Sequence, residues 1–232
     1  MDTRTHGAPL LAACGLAFEA AIAAGPGVVA VRGPGPQRLS AGLDALAAAG
    51  SLAFAGILSF GCAGGLDPEL APGTVVLATG VHTAEEYLGA DPAWLEALMR
   101  LFPDAAAGEL IGLDAPLPAA FDKRALWRSA GARIADMESH AAALAARRHG
   151  LPFAACRVVL DPAWRDVPPC ALAGLRADGG TAFAPLLRAL SAPPGVVRQL
   201  GPLCELARDA WTARRALRRV RTKLGPRLAL PA

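Results

Sequence analysis

Carboxylates carry most of the chemistry this sequence can offer. The run Ala135-Asp136-Met137-Glu138-Ser139-His140 leads into an Ala-rich stretch that reads as helix, which sets its acidic residues at a helix N-terminus. Unpaired backbone N–H groups and the helix dipole favour anions and polar ligands there. Further on, Phe153 to Leu160 is an apolar run that ends in a lone Asp161 before Pro162. A carboxylate at the C-terminal end of a strand in an α/β sheet lies where such folds place their chemistry. Groups of this kind move protons and hold polar ligand atoms. Each also has a plainer reading: Asp136 or Ser139 as a helix cap, and Asp161 as the start of a turn.

The elements that must position these residues alternate in type. Pro9–Cys14 reads as a buried strand, Gly15–Ala24 as a turn and short helix carrying Glu19, and Val28–Val31 as a second strand. A helix is predicted over Gln37–Ala49, a strand over Leu52–Ser59, and a glycine turn at Gly61-Cys62-Ala63-Gly64-Gly65, where absent Cβ atoms let a ligand approach the backbone. A turn and strand follow over Gly73–Ala78. Helices are predicted at Trp94–Leu101 and Lys123–Ala130, a strand at Arg133–Ala135, a helix at Glu138–His149 ended by Gly150, and a strand at Phe153–Leu160. Strands alternating with helices give an α/β fold, a single domain with a central mixed or largely parallel β-sheet flanked by helices. The chain has 232 residues, ample for one core. With 53% hydrophobic but only 5% aromatic residues, that core should be built from small and branched aliphatic side chains.

Composition closes off several function classes. Cys14, Cys62, Cys156, Cys170 and Cys204 match neither a zinc site nor a CxxC pair, and read as free thiols of a reducing compartment. The apolar segment from Ala8 to Val31 is broken by Glu19 and by Gly25-Pro26-Gly27, so it reads as a strand, a helix and a strand rather than a signal peptide or membrane span. His82 with Glu85 and Glu86 lacks helical metal-ligand spacing and reads as a loop residue; His140 reads as packed or surface. The loop Gly33-Pro34-Gly35-Pro36 lacks the Lys-Ser/Thr of a phosphate cradle and reads as a plain turn. Neither a metal nor a cofactor is expected, and the protein is expected in the cytoplasm.

The net charge of +3 conceals an asymmetry. From Leu203 onward the chain carries +6, and the remainder −3. Within that segment Leu203, Leu206, Ala210, Ala213, Leu217, Val220 and Leu224 recur at helical spacing. The expected division is therefore a domain over 1–201 and a basic amphipathic helix over 202–232. That helix is open to three readings: a terminal helix packed on the domain with a solvated face, a peripheral contact with an anionic membrane, or, least favoured, a nucleic-acid contact.

Taken together, the glycine segment, Asp136-Met137-Glu138-Ser139 and the strand ending in Asp161 resemble the purine nucleoside phosphorylase and nucleosidase superfamily, particularly methylthioadenosine/S-adenosylhomocysteine nucleosidases. The resemblance covers roughly residues 8 to 165. It implies a three-layer phosphorylase/hydrolase-like fold and an enzyme that cleaves the N-glycosidic bond of an adenosine-type nucleoside. By that resemblance Asp161 is the general acid for the purine and Glu19 the base for the attacking water. Met137 and Glu138 meet the ribose, and Cys62, Ala63 and Gly64 bind substrate. The form Asp-Met-Glu-Ser-His, the short chain and the basic C-terminal stretch resemble the hopanoid-associated subgroup, which implies adenosylhopane as substrate; the superfamily resemblance implies a homo-oligomer, a dimer or higher, and no nucleic-acid partner is expected. This chain departs from the nucleosidase pattern at Asp136, where Glu is usual, and at Leu160, where Ser is usual. The Gly-Asp-Pro-x-Arg phosphate motif of the phosphorylases is absent; Arg32 and Arg157 are the nearby cations. Water is thus the expected nucleophile, with phosphorolysis or a non-catalytic adenosyl-lipid binder as alternatives.

Overall fold

A period of two builds the centre of the molecule. In β1 (Leu10–Cys14), Leu10, Ala12 and Cys14 enter one core and Leu11 and Ala13 another, because successive strand side chains point to opposite faces. The structure is a computed structural model that describes residues 8–33, 35–48, 54–173, 180 and 196–231. Its other strands are β2 (Val28–Arg32), β3 (Ile57–Gly65), β4 (Val75–His82), β5 (Tyr87–Gly89), β6 (Ala106–Gly112), β7 (Ile134–Asp136) and β8 (Phe153–Asp161). The helices are α1 (Ala17–Ala23), α2 (Pro36–Ala48), α3 (Pro92–Leu101), α4 (Ala120–Ala130), α5 (Ser139–Arg148), α6 (Pro169–Ala173) and α7 (Val196–Leu224).

The sheet is mixed, as expected. Strands β2, β1, β3 and β8 pair in parallel, β4 runs antiparallel to β8, and β6 and β7 continue in parallel from β4. The short β7 then pairs antiparallel with the end of β3, which closes a circuit through β3, β8, β4, β6 and β7. Helices α1, α3 and α7 cover one face and α2 and α5 the other, giving three layers. Alanines make the second interface close: five of the ten residues of α5 are buried Ala facing the alternate residues of β3 and β8.

Three expectations need correction. The glycine run at Gly61–Gly65 is strand, not turn, because β3 continues through it and pairs with β8 and β7. Strand β6 carries Gly and Glu and lacks a clean apolar period, which hid it in the sequence. His82 is the last residue of β4 rather than a loop residue, and its Nε2 lies 2.8 Å from Oε2 of Glu109 on β6. Positions 34, 49, 52 and 53 of the predicted loop, helix and strand lie outside the described residues.

The basic helix also differs from expectation in its start, since α7 begins at Val196 and contains Pro202. Of its predicted stripe, Ala213, Leu217, Val220 and Leu224 are buried in the core shared with β8 and α1. That is the packed-helix reading. Leu203, Leu206 and Ala210 are half-buried, while Arg208, Arg214, Arg215, Arg218 and Arg219 face solvent. No described helix is long and apolar enough to cross a membrane.

Candidate active site

Strand β8 supplies two of the central groups. Arg157 interrupts its apolar run and is completely buried, with its Nε 2.7 Å from Oδ2 of Asp136 and its Nη2 3.9 Å from Oε2 of Glu138. Nη2 also donates to Ser59 Oγ at 2.6 Å, and Nε to Ser139 Oγ at 3.2 Å. One guanidinium thus serves a closed pocket of carboxylates and hydroxyls, which is the fork geometry arginine provides.

Glu19 reaches the same pocket from the first turn of α1. Its Oε2 accepts from the N–H groups of Gly15 (3.0 Å) and Leu16 (2.8 Å), and its Oε1 from the N–H of Cys62 (2.8 Å). The register that places Glu19 here is the one the sequence suggested. Burial raises its carboxyl above the ordinary range, and Arg157 and the backbone donors pull against that rise. The glycines of β3 also make room for the protein's own side chains. A Cβ on Gly61 would lie 2.6 Å from Nη1 of Arg157 and 2.7 Å from Cδ of Glu19, so this glycine makes room for the protein's own charged side chains. Gly64 performs the same service for Asp161, whose Oδ2 would stand 3.3 Å from a Cβ there.

Glu138 sits at the start of α5 but does not cap it. Asp136 does, accepting from the N–H groups of Glu138 (3.1 Å) and Ser139 (2.9 Å) through Oδ1. Asp136 is therefore both a helix cap and the partner of Arg157. Released from capping, Glu138 stays buried and accepts from the N–H of Gly35 at 3.1 Å. The segment read as a plain turn thus holds a site carboxylate. Burial is the main cause that pushes the Glu138 carboxyl up to about 7, with Arg157 opposing and Asp136 and Glu19 adding to the rise.

Asp161 lies apart from this cluster. It lines a cavity of about 260 Å³ together with Met137, Leu160, Gly64, Leu16 and Lys123, and much of the remaining wall is apolar, including Leu113, Leu117 and Leu206. Lys123 Nζ approaches Asp161 Oδ2 to 2.6 Å. Burial raises the Asp161 carboxyl and Lys123 holds it down. Of the residues predicted from sequence, Glu19, Cys62 and Glu138 gather around Arg157, while Gly64, Met137 and Asp161 share the cavity wall; Ala63 is buried beside β8 against α5. Sequence reasoning left Ser59, Gly35 and Lys123 out. Arg157 could be suspected as a lone charge in an apolar strand, whereas nothing marks Lys123 among the ordinary residues of α4.

A family model described as the phosphorylase superfamily matches residues 5–171, a span that holds every charged and hydroxyl group of the site. The chain belongs to the phosphorylase superfamily. Solved structures of that fold agree at low identity. A 5′-methylthioadenosine/S-adenosylhomocysteine nucleosidase from Helicobacter pylori, with butyl-thio-DADMe-Immucillin-A, aligns with TM-score 0.60 at 13% identity over 92% of this chain and 97% of its own. The enzyme of the same name from Neisseria meningitidis, in complex with methylthio-immucillin-A, gives 0.58 at 17% over 67% and 86%. An S-adenosylhomocysteine nucleosidase from Streptococcus pyogenes, in complex with 5-methylthiotubericidin, gives 0.59 at 15% over 67% and 84%. No curated protein sequence matches the chain.

In this superfamily member, the raised carboxyl of Glu138 beside Arg157 makes stability depend on pH. Glu138 has an ordinary value of 4.5 and stands at about 7 in the folded protein. The native state therefore binds more protons than the unfolded chain between those values, and its contribution is full below about pH 4.5 and lost as pH rises through 7. Glu138→Gln should flatten this dependence. Relative to the unsubstituted protein, it should gain about 2–3 kcal/mol on going from pH 4.5 to pH 8, at about 1.4 kcal/mol per pKa unit. Urea midpoints across that range check it, and parallel curves for the two proteins would refute it.

Proposed function

We propose that this superfamily member hydrolyses the N-glycosidic bond of an adenosine-type nucleoside. The observation that carries the reading is that its fully buried cation, Arg157, is already bound by Asp136, Glu138, Ser59 and Ser139, so it offers no free charge to a phosphate dianion. A phosphate would also meet Glu19 and Glu138. Water meets no such repulsion and finds a buried carboxylate, Glu19, whose raised basicity suits proton abstraction.

The proposed reaction balances as follows. The C1′–N9 bond breaks with its electron pair going to the base, and the sugar takes on oxocarbenium character. Asp161 passes a proton to the purine ring while Glu138 accepts the ribose hydroxyls and Met137 packs on the sugar. Water adds to C1′ and gives its proton to Glu19. Exchange with solvent then takes a proton from Glu19 and returns one to Asp161, so the net change is nucleoside plus water to free sugar and base. Cys62 contributes its backbone N–H by fixing Glu19, and its own thiol is held protonated by burial.

The predominantly apolar cavity wall suits a nucleoside with an apolar 5′ substituent, and adenosylhopane, to which the sequence resemblance points, is the substrate we propose. The test is release of adenine from methylthioadenosine, adenosine and adenosylhopane with and without phosphate. Release should proceed at the same rate in phosphate-free buffer, with adenosylhopane the best substrate. Strict dependence on phosphate would replace hydrolysis with phosphorolysis.

A further inference from the structure

The ammonium of Lys123 is used up. It donates to Asp161 Oδ2 at 2.6 Å, to the carbonyl of Arg165 at 2.9 Å and to that of Pro162 at 3.3 Å. Three donors on a lysine nitrogen meet three acceptors, which leaves none to point at a ligand. The side chain is 1% exposed, although it stands on α4, a helix whose other charged residues Asp122, Arg124 and Arg128 face outward. Burying a lysine in this way is costly unless its partner is charged and well placed. Both Lys123 and Asp161 line the cavity, and the Oδ1 of Asp161 has no side-chain partner among the described residues.

We infer that Lys123 is the positioning residue of the leaving-base acid: it occupies Oδ2 of Asp161, so the proton handed to the base travels on Oδ1 and the carboxylate left behind remains paired. This rests on the proposed nucleosidase reading. Leu160, the neighbour of Asp161, has no hydroxyl with which to orient it, so the orientation comes from α4 across the cavity wall. The same contact ties the Pro162–Arg165 turn to α4, and Arg165 continues to α7 through an ion pair between its Nη1 and Asp209 Oδ2. A lysine that only fastened this turn would affect stability alone. One that pairs with the acid also sets where the acid titrates, because an opposite charge at this distance favours the carboxylate.

The experiment compares the full chain with Lys123→Met and Lys123→Gln, the second keeping a donor while removing the charge. Asp161 is followed by carbon-13 NMR of its carboxyl, assigned through Asp161→Asn, and base release by its pH profile. In both variants the Asp161 titration, and with it the falling limb of kcat/KM at high pH, should move upward by about one unit or more. Thermal unfolding confirms that each variant is folded. An Asp161 titration identical in all three proteins would overturn the inference and leave Lys123 as a fastening for the turn. If the unsubstituted protein releases no base from any of the nucleosides, the nucleosidase reading fails, while the carboxyl titration still decides whether Lys123 holds the Asp161 carboxylate.

Discussion

Asp161→Asn should reduce adenine release by about 10²–10⁴-fold, the range a positioned general acid contributes. The substitution preserves shape and keeps a carbonyl oxygen for Lys123 Nζ, which now lies 2.6 Å from Oδ2. It removes the proton that the departing base needs. Nucleoside affinity, measured by calorimetry on the variant, should change little, since the cavity wall and Glu138 are untouched. Release within a few-fold of the unsubstituted protein would remove Asp161 from the reaction. Loss of binding and release together would make it a binding group instead.

Arg157→Met should have the largest effect on the fold. The methionine fills part of the volume but leaves Asp136, Glu138 and Glu19 without their cation, and takes away the N–H groups that Arg157 gives Ser59 and Ser139, which keep only their bond to each other and that of Ser139 to Asp136. Removing one partner of a buried ionic cluster costs about 3–5 kcal/mol, a large share of the roughly 5–15 kcal/mol that holds a domain together. The loss should shrink in acid, where Glu138 and Glu19, both raised by burial, take up protons, and this dependence separates an electrostatic cause from a packing one. Urea denaturation at pH 5 and pH 8 measures both. A loss below about 1 kcal/mol, at the level of a surface ion pair, would show that the cluster is not held by Arg157.

The architecture was largely legible in the sequence because its signals are local. Apolar runs such as Leu10–Cys14 and Phe153–Leu160 have no other stable place than a buried strand, and Asp136 before an Ala-rich stretch is a cap by its chemistry alone. The glycines of β3 misled because small residues mark turns in general, whereas here they make space for Glu19, Arg157 and Asp161. Glu19 was reachable through resemblance, and the structure sets it in the first turn of α1, where its carboxylate meets the N–H groups of Cys62, Gly15 and Leu16. Lys123 and Gly35 were not reachable. Their roles depend on which distant segments the sheet brings together, 38 residues apart for Lys123 and Asp161 and 103 for Gly35 and Glu138. Such separations leave no mark in local composition.

One irregularity in β8 decides how the two ends of the site relate. Val159 pairs with Ala63 and Asp161 with Gly64, so Leu160 is an extra residue that opposes nothing on β3. A bulge of this kind re-aims the side chains that follow it. Arg157 lies before it and serves the carboxylates of the α5 side; Asp161 lies after it and turns to α4. The charge that chiefly governs Asp161 is that of Lys123, and those that govern Glu138 are Arg157, Asp136 and Glu19. A single inserted residue thus lets one strand serve two neighbourhoods, turning Arg157 to Asp136 and Glu138 and Asp161 to Lys123.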